Sequence, residues 1–502
     1  MVNGDELKHW RTGERSVSER FSEYVVNTNY SDLNDDAIRE AKTLLLDVFS
    51  TAIVGVKGSG AEDDAPRLVM DVVGQLGGPQ ESTIIGGGKK AWCAHAALIN
   101  GVSMRYPEYP GHLLSPYQRG GAIHCEENIP ACLAVAEKTR ASGKDLITAI
   151  VLAAEVHARL GEIADQRVSG FHHTTRGIYS VPMVVGKLLG LTVEQVADAV
   201  GISGSFGLTL DQLHAAVNEP TSPTRNLAFP LAAHQGILGA LLAQRGYRGP
   251  REVIEGGYGY LRALGVEGVR ARARLNRIVH NLPTAKTGRF MITYYGYKLK
   301  AGDMITQCPA DVMIDLRRDH EIDPEEVREV RLYMKTDVAI SATIGTHEAN
   351  KYPRWKEMAD HSVWYTVARA LLDGDLQFPE QFTPAKIRDP RVRDMIDRIK
   401  IYGDPKLDEE ARGWHPDSQY QGAGGPVYAE VQMEDGKTVS RKNLYIHGYG
   451  PERATPKQVT AKFENRASLY IAADQRREIM KTVEHLDELD DVGSLMALLR
   501  SF

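Results

Sequence analysis

From Asp35 to about Ile53 the apolar residues Ile38, Ala41, Leu45, Val48, Phe49 and Ala52 recur at steps of three and four, which places them on one helical face. The pattern stops at Gly55. A short β-rich stretch, Ser82-Thr-Ile-Ile85, runs into Gly86-Gly-Gly88, and 91–104 reads as a second, largely apolar helix. Segments of ordinary helix length follow at 129–139, 146–160, 181–189, 193–202 and 232–245, most of them rich in Ala, which lets helices approach closely at little entropic cost. Around Tyr294 the period changes. In 327–334 Val330, Leu332 and Met334 alternate onto one face, as do Val427, Ala429, Val431 and Met433 in 426–433, and Asp435-Gly436 supplies a hairpin turn into 438–445. Helical stretches intervene at 310–315, 361–372 and 391–398, and 457–502 returns to helical spacing.

The expected fold is therefore mainly α, with a large all-helical domain and a smaller α+β domain carrying an antiparallel sheet. Residues 1–290 form the N-terminal part of the helical domain, 291–450 the α+β domain, and 451–502 C-terminal helices returning to the first.

Composition removes whole classes of function. The 502 residues are 42% apolar and carry 60 Lys and Arg against 66 Asp and Glu, a net charge of −6, so neither disorder nor a cationic field for nucleic acid or anionic membrane is expected. Cys93, Cys125, Cys132 and Cys308 form no close pair of the kind that zinc and iron–sulfur sites use. No uncharged apolar run reaches about 18 residues and the first ten lack a signal core, so the expected compartment is the cytoplasm. None of the Gly-rich stretches at 86–90, 201–207 and 256–259 has the spacing and context of a phosphate loop.

Three segments carry candidate chemistry. An apolar helix breaks at Tyr106-Pro107 and a new one starts near Ile129-Pro130; in the break lie Arg105, Glu108, His112, His124, Glu126 and Glu127. Ionisable groups at such a break can face a cleft, although an arbitrary charged loop is more often simply solvated. Gly170-Phe-His-His-Thr-Thr-Arg176 offers two adjacent histidines, of which an extended loop or helix can direct only one into a site, and no third metal ligand stands at the usual spacing. Lys298 sits among tyrosines, either as a charge clamp or as a snorkelling surface residue.

Taken in order, these pieces resemble the MmgE/PrpD family of 2-methylcitrate dehydratases and cis-aconitate decarboxylases. The resemblance rests on Leu45-Leu-Asp47 with Gly55, Asn100-Gly101 with Arg105, His124 four residues before Asn128, and Gly170-Phe-His172. It continues through Gly186-Lys-Leu-Leu-Gly-Leu191, Ala232-Ala233 with Gly236, Tyr297-Lys298, Ala359-Asp-His-Ser362 and Leu371-Leu-Asp-Gly374. It implies a homodimer, an α+β lid, and a cofactor-free, metal-free site between domains that acts on small di- or tricarboxylic acids. Carried over by position, it places catalytic roles on Glu108, His124, His172 and Lys298, and substrate binding on Arg105, Arg225 and His112. The Asp-rich run usual in the family is here Glu108-Tyr-Pro-Gly-His112, and Arg225 stands where lysine is usual.

The implied chemistry is a carbanion beside a carboxylate, which needs cations at the oxygens and a base at the carbon. Arg105, Arg225 and Lys298 supply the cations, His124 or His172 the base, and the other histidine or Glu108 the proton for a departing hydroxyl. Arg105 and the His124–Asn128 spacing point first to dehydration of a 2-methylcitrate-like tricarboxylate. Decarboxylation of the cis-aconitate type, epimerisation of a dicarboxylate, and a non-catalytic metabolite-binding role are the alternatives. The pocket is expected to be locally positive.

Overall fold

The computed structural model describes residues 15–115, 123–163, 165–215, 219–266, 269–283, 288–344, 348–410 and 425–502; the first ten residues, which bore on localisation, lie outside these. Helix α1 (Asp35–Lys57) is capped by Asn34, whose side chain accepts from Ala37 N–H. It does not end at Gly55. A Cβ there would lie 1.7 Å from Ser103 O, so the glycine instead lets α2 (Cys93–Arg105) cross α1 almost backbone to backbone. This crossing fixes where α2 ends, and α2 ends at the site.

Around these two pack α3 (Ile129–Thr139), α4 (Gly143–Gly161), α5 (Gly177–Leu188), α6 (Val193–Gly204) and α7 (Ala228–Gln244). Their apolar faces join one core that also takes in residues of the C-terminal helices, from Val459 and Phe463 to Leu495 and Leu499. Pro223–Gln244 is long and apolar enough to cross a membrane, yet 67% of it is buried inside the protein, as befits a core helix.

A second core gathers Ala301 to Tyr449 around α8 (Met304–His320), α9 (Val363–Asp373) and a sheet. Val54, Tyr106 and Tyr109 of the helical region belong to this second core, so the two regions interlock where α2 ends. Chain order adds α10 (Pro390–Arg398) and then α11 (Pro456–Ala467), which lies along α1. Besides a short antiparallel pair of Ser82–Thr83 with Lys90–Ala91, the strands are β1 (His112–Leu113), β2 (Tyr295–Gly296), β3 (Val327–Met334), β4 (Ile399–Gly403), β5 (Val427–Met433) and β6 (Thr438–Asn443). β1 pairs with β2, and the main sheet has the order β4-β3-β5-β6.

β3–β5 and β5–β6 are antiparallel as expected, with Gly436 N–H closing the β5–β6 turn on Met433 O. β4 is a correction: it pairs parallel to β3, with Val330 opposite Ile399, so the sheet is mixed. Its edge position leaves most of β4 exposed, with only Ile399 and Ile401 alternating toward the core, and α9 and α10 lie in the long connection that a parallel neighbour requires.

Candidate active site

Arg105 is the last residue of α2, and Tyr106-Pro107 ends the helix. Glu108 then takes a left-handed backbone conformation, φ 48°, which reverses the chain toward the site. Three residues on, a Cβ at Gly111 would lie 1.9 Å from Gly296 O, so only glycine permits the β1–β2 pairing that delivers His112. The loop is also pinned from behind. Lys462 of α11, ion-paired with Asp47 of α1 at 2.7 Å, donates to Tyr109 O at 3.0 Å and Lys298 O at 2.9 Å. Lys356 donates to Tyr106 O.

Glu108 is buried and doubly paired. Its Oε2 accepts from Arg225 Nη1 at 2.5 Å and its Oε1 from Lys298 Nζ at 2.9 Å, while its backbone oxygen accepts from Gly302 N–H at 3.0 Å. Burial pushes the carboxyl pKa up, but Arg225 and then Lys298 outweigh it and hold Glu108 well below the usual carboxylate range. An ionised carboxylate accepts hydrogen bonds, which suits Glu108 to the two cations that flank it. Lys298 is fully buried, which removes the snorkelling alternative. Arg105 pairs with Glu127 and donates Nε–H to Arg225 O at 3.1 Å. Glu108 and Glu127 face these three cations, so the pocket expected to be positive keeps an excess of positive charge, smaller than the cations alone would give.

Opposite lies a row of imidazoles. Ring centroids stand 4.0 Å apart for His112–His124, 4.6 Å for His124–His173 and 3.9 Å for His173–His172. Both adjacent histidines therefore share one site, against expectation. His172 is extended (ψ 148°) and His173 opens a 3-10 turn, and at such a junction consecutive side chains no longer alternate. His124 Nδ1 meets Glu126 Oε1 at 2.8 Å, His112 Nδ1 meets Tyr449 OH at 3.3 Å, and His172 Nδ1 meets Thr174 Oγ1 at 2.8 Å. Burial pushes all four imidazoles down, His112 to about 3 and the others well below 6.5, so the row is uncharged. Burial likewise pushes Glu127 up to about 7 and Glu126 well above the ordinary carboxyl value.

Between the walls, Met104, Arg105, Glu108, Pro110, His124, Glu126 and Glu127 line a cavity of about 10 Å³, room for about one water. Arg225 comes from the 3-10 turn before α7, so all seven sequence-derived candidates are brought together. Sequence reasoning gave no role to His173, Glu126 or Glu127, although it named them. It missed the α+β side, where Lys356 pairs with Asp360 at 2.8 Å and His361 Nε2 lies 3.6 Å from Asp303 Oδ2. The Asp360-His361 dipeptide was the available signal. Asn128, by contrast, is a brace: it donates to Cys125 O at 3.0 Å and accepts from Ser180 Oγ at 2.8 Å.

Two sets of side chains, His124/Glu127/His173 and Glu108/Asp303/His361, bring potential metal-ligand atoms within 4.8 Å of one another. In each the glutamate already serves a cation, Glu127 for Arg105 and Glu108 for Arg225 and Lys298. A metal ion would have to share it.

A helical body joined to an α+β region, with buried cations, acids and imidazoles meeting between them, is the architecture of an enzyme that handles charged groups out of water. Comparison with known proteins gives the family. Residues 19–268 match the MmgE/PrpD N-terminal domain and 302–488 the MmgE/PrpD C-terminal domain, and the chain belongs to the MmgE/PrpD family. The cis-aconitate decarboxylase of Mus musculus is 22% identical over 97% of this chain and 94% of its own length. The cis-aconitate decarboxylase-like protein oryM of Aspergillus oryzae is 24% identical over 97% and 98%, and the cis-aconitate decarboxylase of Aspergillus terreus 25% over 96% and 96%.

Proposed function

We propose that this protein is a lyase that forms and protonates a carbanion beside a carboxylate of a small carboxylic acid. The observation that carries the reading is the buried His124–Glu126 contact in a cavity that Arg105 also lines. With Glu126 protonated, His124 accepts its hydrogen bond at Nδ1 and presents Nε2–H to the cavity. A substrate losing CO2 leaves its electron pair on carbon; His124 gives that carbon a proton and regains one from Glu126. Arg105 and Arg225 hold the neighbouring carboxylate as charge develops on it.

This proton-delivering arrangement favours decarboxylation, and the names of the relatives agree. Dehydration of a 2-methylcitrate-like acid is the second reading. It rested on Arg105, which would clamp a carboxylate in either reaction, and on the Asn128 spacing, where Asn128 braces the backbone. Carbon dioxide release and the absorbance of an unsaturated product, followed over a panel of carboxylic acids, separate the two. His124→Ala is expected to lower turnover by about 10²–10⁴-fold and Glu126→Gln by less. Turnover that neither change slows would overturn the assignment.

The proposed assembly is a homodimer. Leu231 (50% exposed) and Leu238 (39%) project from the mostly buried α7, and Phe206, just after α6, stands 81% exposed. Sedimentation of the purified chain at two concentrations tests it; a single monomer species at both would remove the proposal.

A further inference from the structure

We propose that His124, Glu127 and His173 form a site for a divalent cation of the zinc type, and that the ion switches the lyase off by taking the ring nitrogen through which His124 delivers its proton. The switching half rests on the lyase reading; the site itself does not. One ligand atom from each of the three side chains lies within 4.8 Å of the others, and all three residues are buried. Bonds of about 2.0–2.2 Å bring the ligands of a tetrahedral ion to roughly 3.4 Å apart, so side-chain rotation closes the set.

The groups that would turn hold nothing else. Both ring nitrogens of His173 and Glu127 Oε2 are buried without a hydrogen-bond partner, while Arg105 is held by the other oxygen, Oε1. Other buried atoms also lack a partner, but here three of them converge with a third ligand. In the second such set, by contrast, both oxygens of Glu108 are already bonded to cations. His124 Nδ1 meets Glu126 Oε1 at 2.8 Å, which leaves Nε2 as its ligand atom. A carboxylate on the far nitrogen is the support that fixes the tautomer of a metal-bound histidine and raises its basicity. Glu126 and Glu127 share one 3-10 turn, Cys125–Asn128, which Asn128 ties to Cys125 O, so ligand and support are placed together. The Arg105 charge opposes the ion, but it is itself paired with Glu127, and Glu126 stands alongside as a second acid. Two imidazoles and a carboxylate suit zinc or cobalt better than magnesium, and they leave a fourth position for water in the cavity that His124 and Glu127 line.

The test uses the whole purified protein, washed with a chelator, then titrated with zinc chloride by calorimetry and with cobalt chloride by visible absorbance. One zinc ion per chain is expected to bind with a Kd of about micromolar or tighter, and cobalt to give the visible bands of a site with four or five ligands. His173→Phe, which keeps a ring in the row, is expected to weaken binding at least about 100-fold, and Glu126→Gln about 10–100-fold. Magnesium chloride is expected not to bind. No tight ion in the wild type, or one that both variants hold equally well, overturns the site; where His173→Phe does not fold, Glu126→Gln decides. Zinc is further expected to inhibit turnover over the concentrations at which it binds. Binding that leaves turnover unchanged overturns the switch together with the role of His124. Where no carboxylic acid is turned over, the lyase reading falls and the titrations alone decide the site.

Discussion

The two walls of the site handle buried polarity in opposite ways. On one, Glu108, Arg225 and Lys298 keep their charges by pairing at 2.5–2.9 Å. On the other, His112, His124, His173 and His172 lose charge through burial and stand ring against ring. Burial is nearly the same on both sides, so exposure does not explain the difference. A guanidinium cannot surrender its proton, whereas an imidazole does so within a few pH units. Fixed charge therefore falls to the paired wall and proton transfer to the imidazole wall.

The largest expected effect breaks the paired wall. Lys298→Met leaves Glu108 with one cation and is expected to cost about 3–5 kcal/mol in chemical denaturation. The double change with Glu108→Gln is expected to cost less than the two single changes together, because it removes both charges. Strict additivity would show that Lys298 and Glu108 do not act as a pair.

Titration separates the imidazole row from Glu127 by sign. The four histidines have folded pKa values below 6.5, so their contribution is complete above that pH and is lost as pH falls toward about 3, where folded His112 titrates. Each contributes about 1.4 kcal/mol per unit of pKa shift. Glu127 has the opposite sign. Its folded pKa of about 7 lies above the ordinary 4.5, so its contribution is present below 4.5 and lost as pH rises toward 7. In denaturation measured against pH, His112→Asn is expected to flatten the acid limb and Glu127→Gln the limb between 4.5 and 7. A single variant that flattened both would deny that the imidazole row and Glu127 titrate separately.

The smallest effect sharpens the contrast by moving it to the surface. Arg331 pairs with Glu430 across β3 and β5 at 2.9 Å with its side chain 34% exposed. Arg331→Ala is expected to leave the denaturation midpoint unchanged within error, since water and salt screen such a pair. A shift comparable with that of Lys298→Met would mean that burial is not what makes the site's ion pairs matter.

Much of this architecture was legible along the chain. The helical face of α1, the alternation in β3 and β5, and the Asp435-Gly436 turn each follow from local periods of three to four or of two. β4 was not, because a five-residue edge strand puts only Ile399 and Ile401 on its apolar face, too few to set a period. The loop residues Arg105, Glu108, His112 and His124 were visible as ionisable groups at a helix break. His173, Lys356, Asp360, His361 and Lys462 were not assigned, because each reaches the site across a long sequence separation or at an unusual backbone junction.

The sequence by itself determined which segments are helix or strand and which side chains could carry charge or protons, since those follow from neighbours and residue type. Only the tertiary structure decided the protonation and occupancy of the site. Whether Glu108 is an acid or a fixed anion depends on Arg225, 117 residues away, and Lys298, 190 residues away. Coulomb attraction and desolvation act through space, and sequence separation says nothing about either distance or burial.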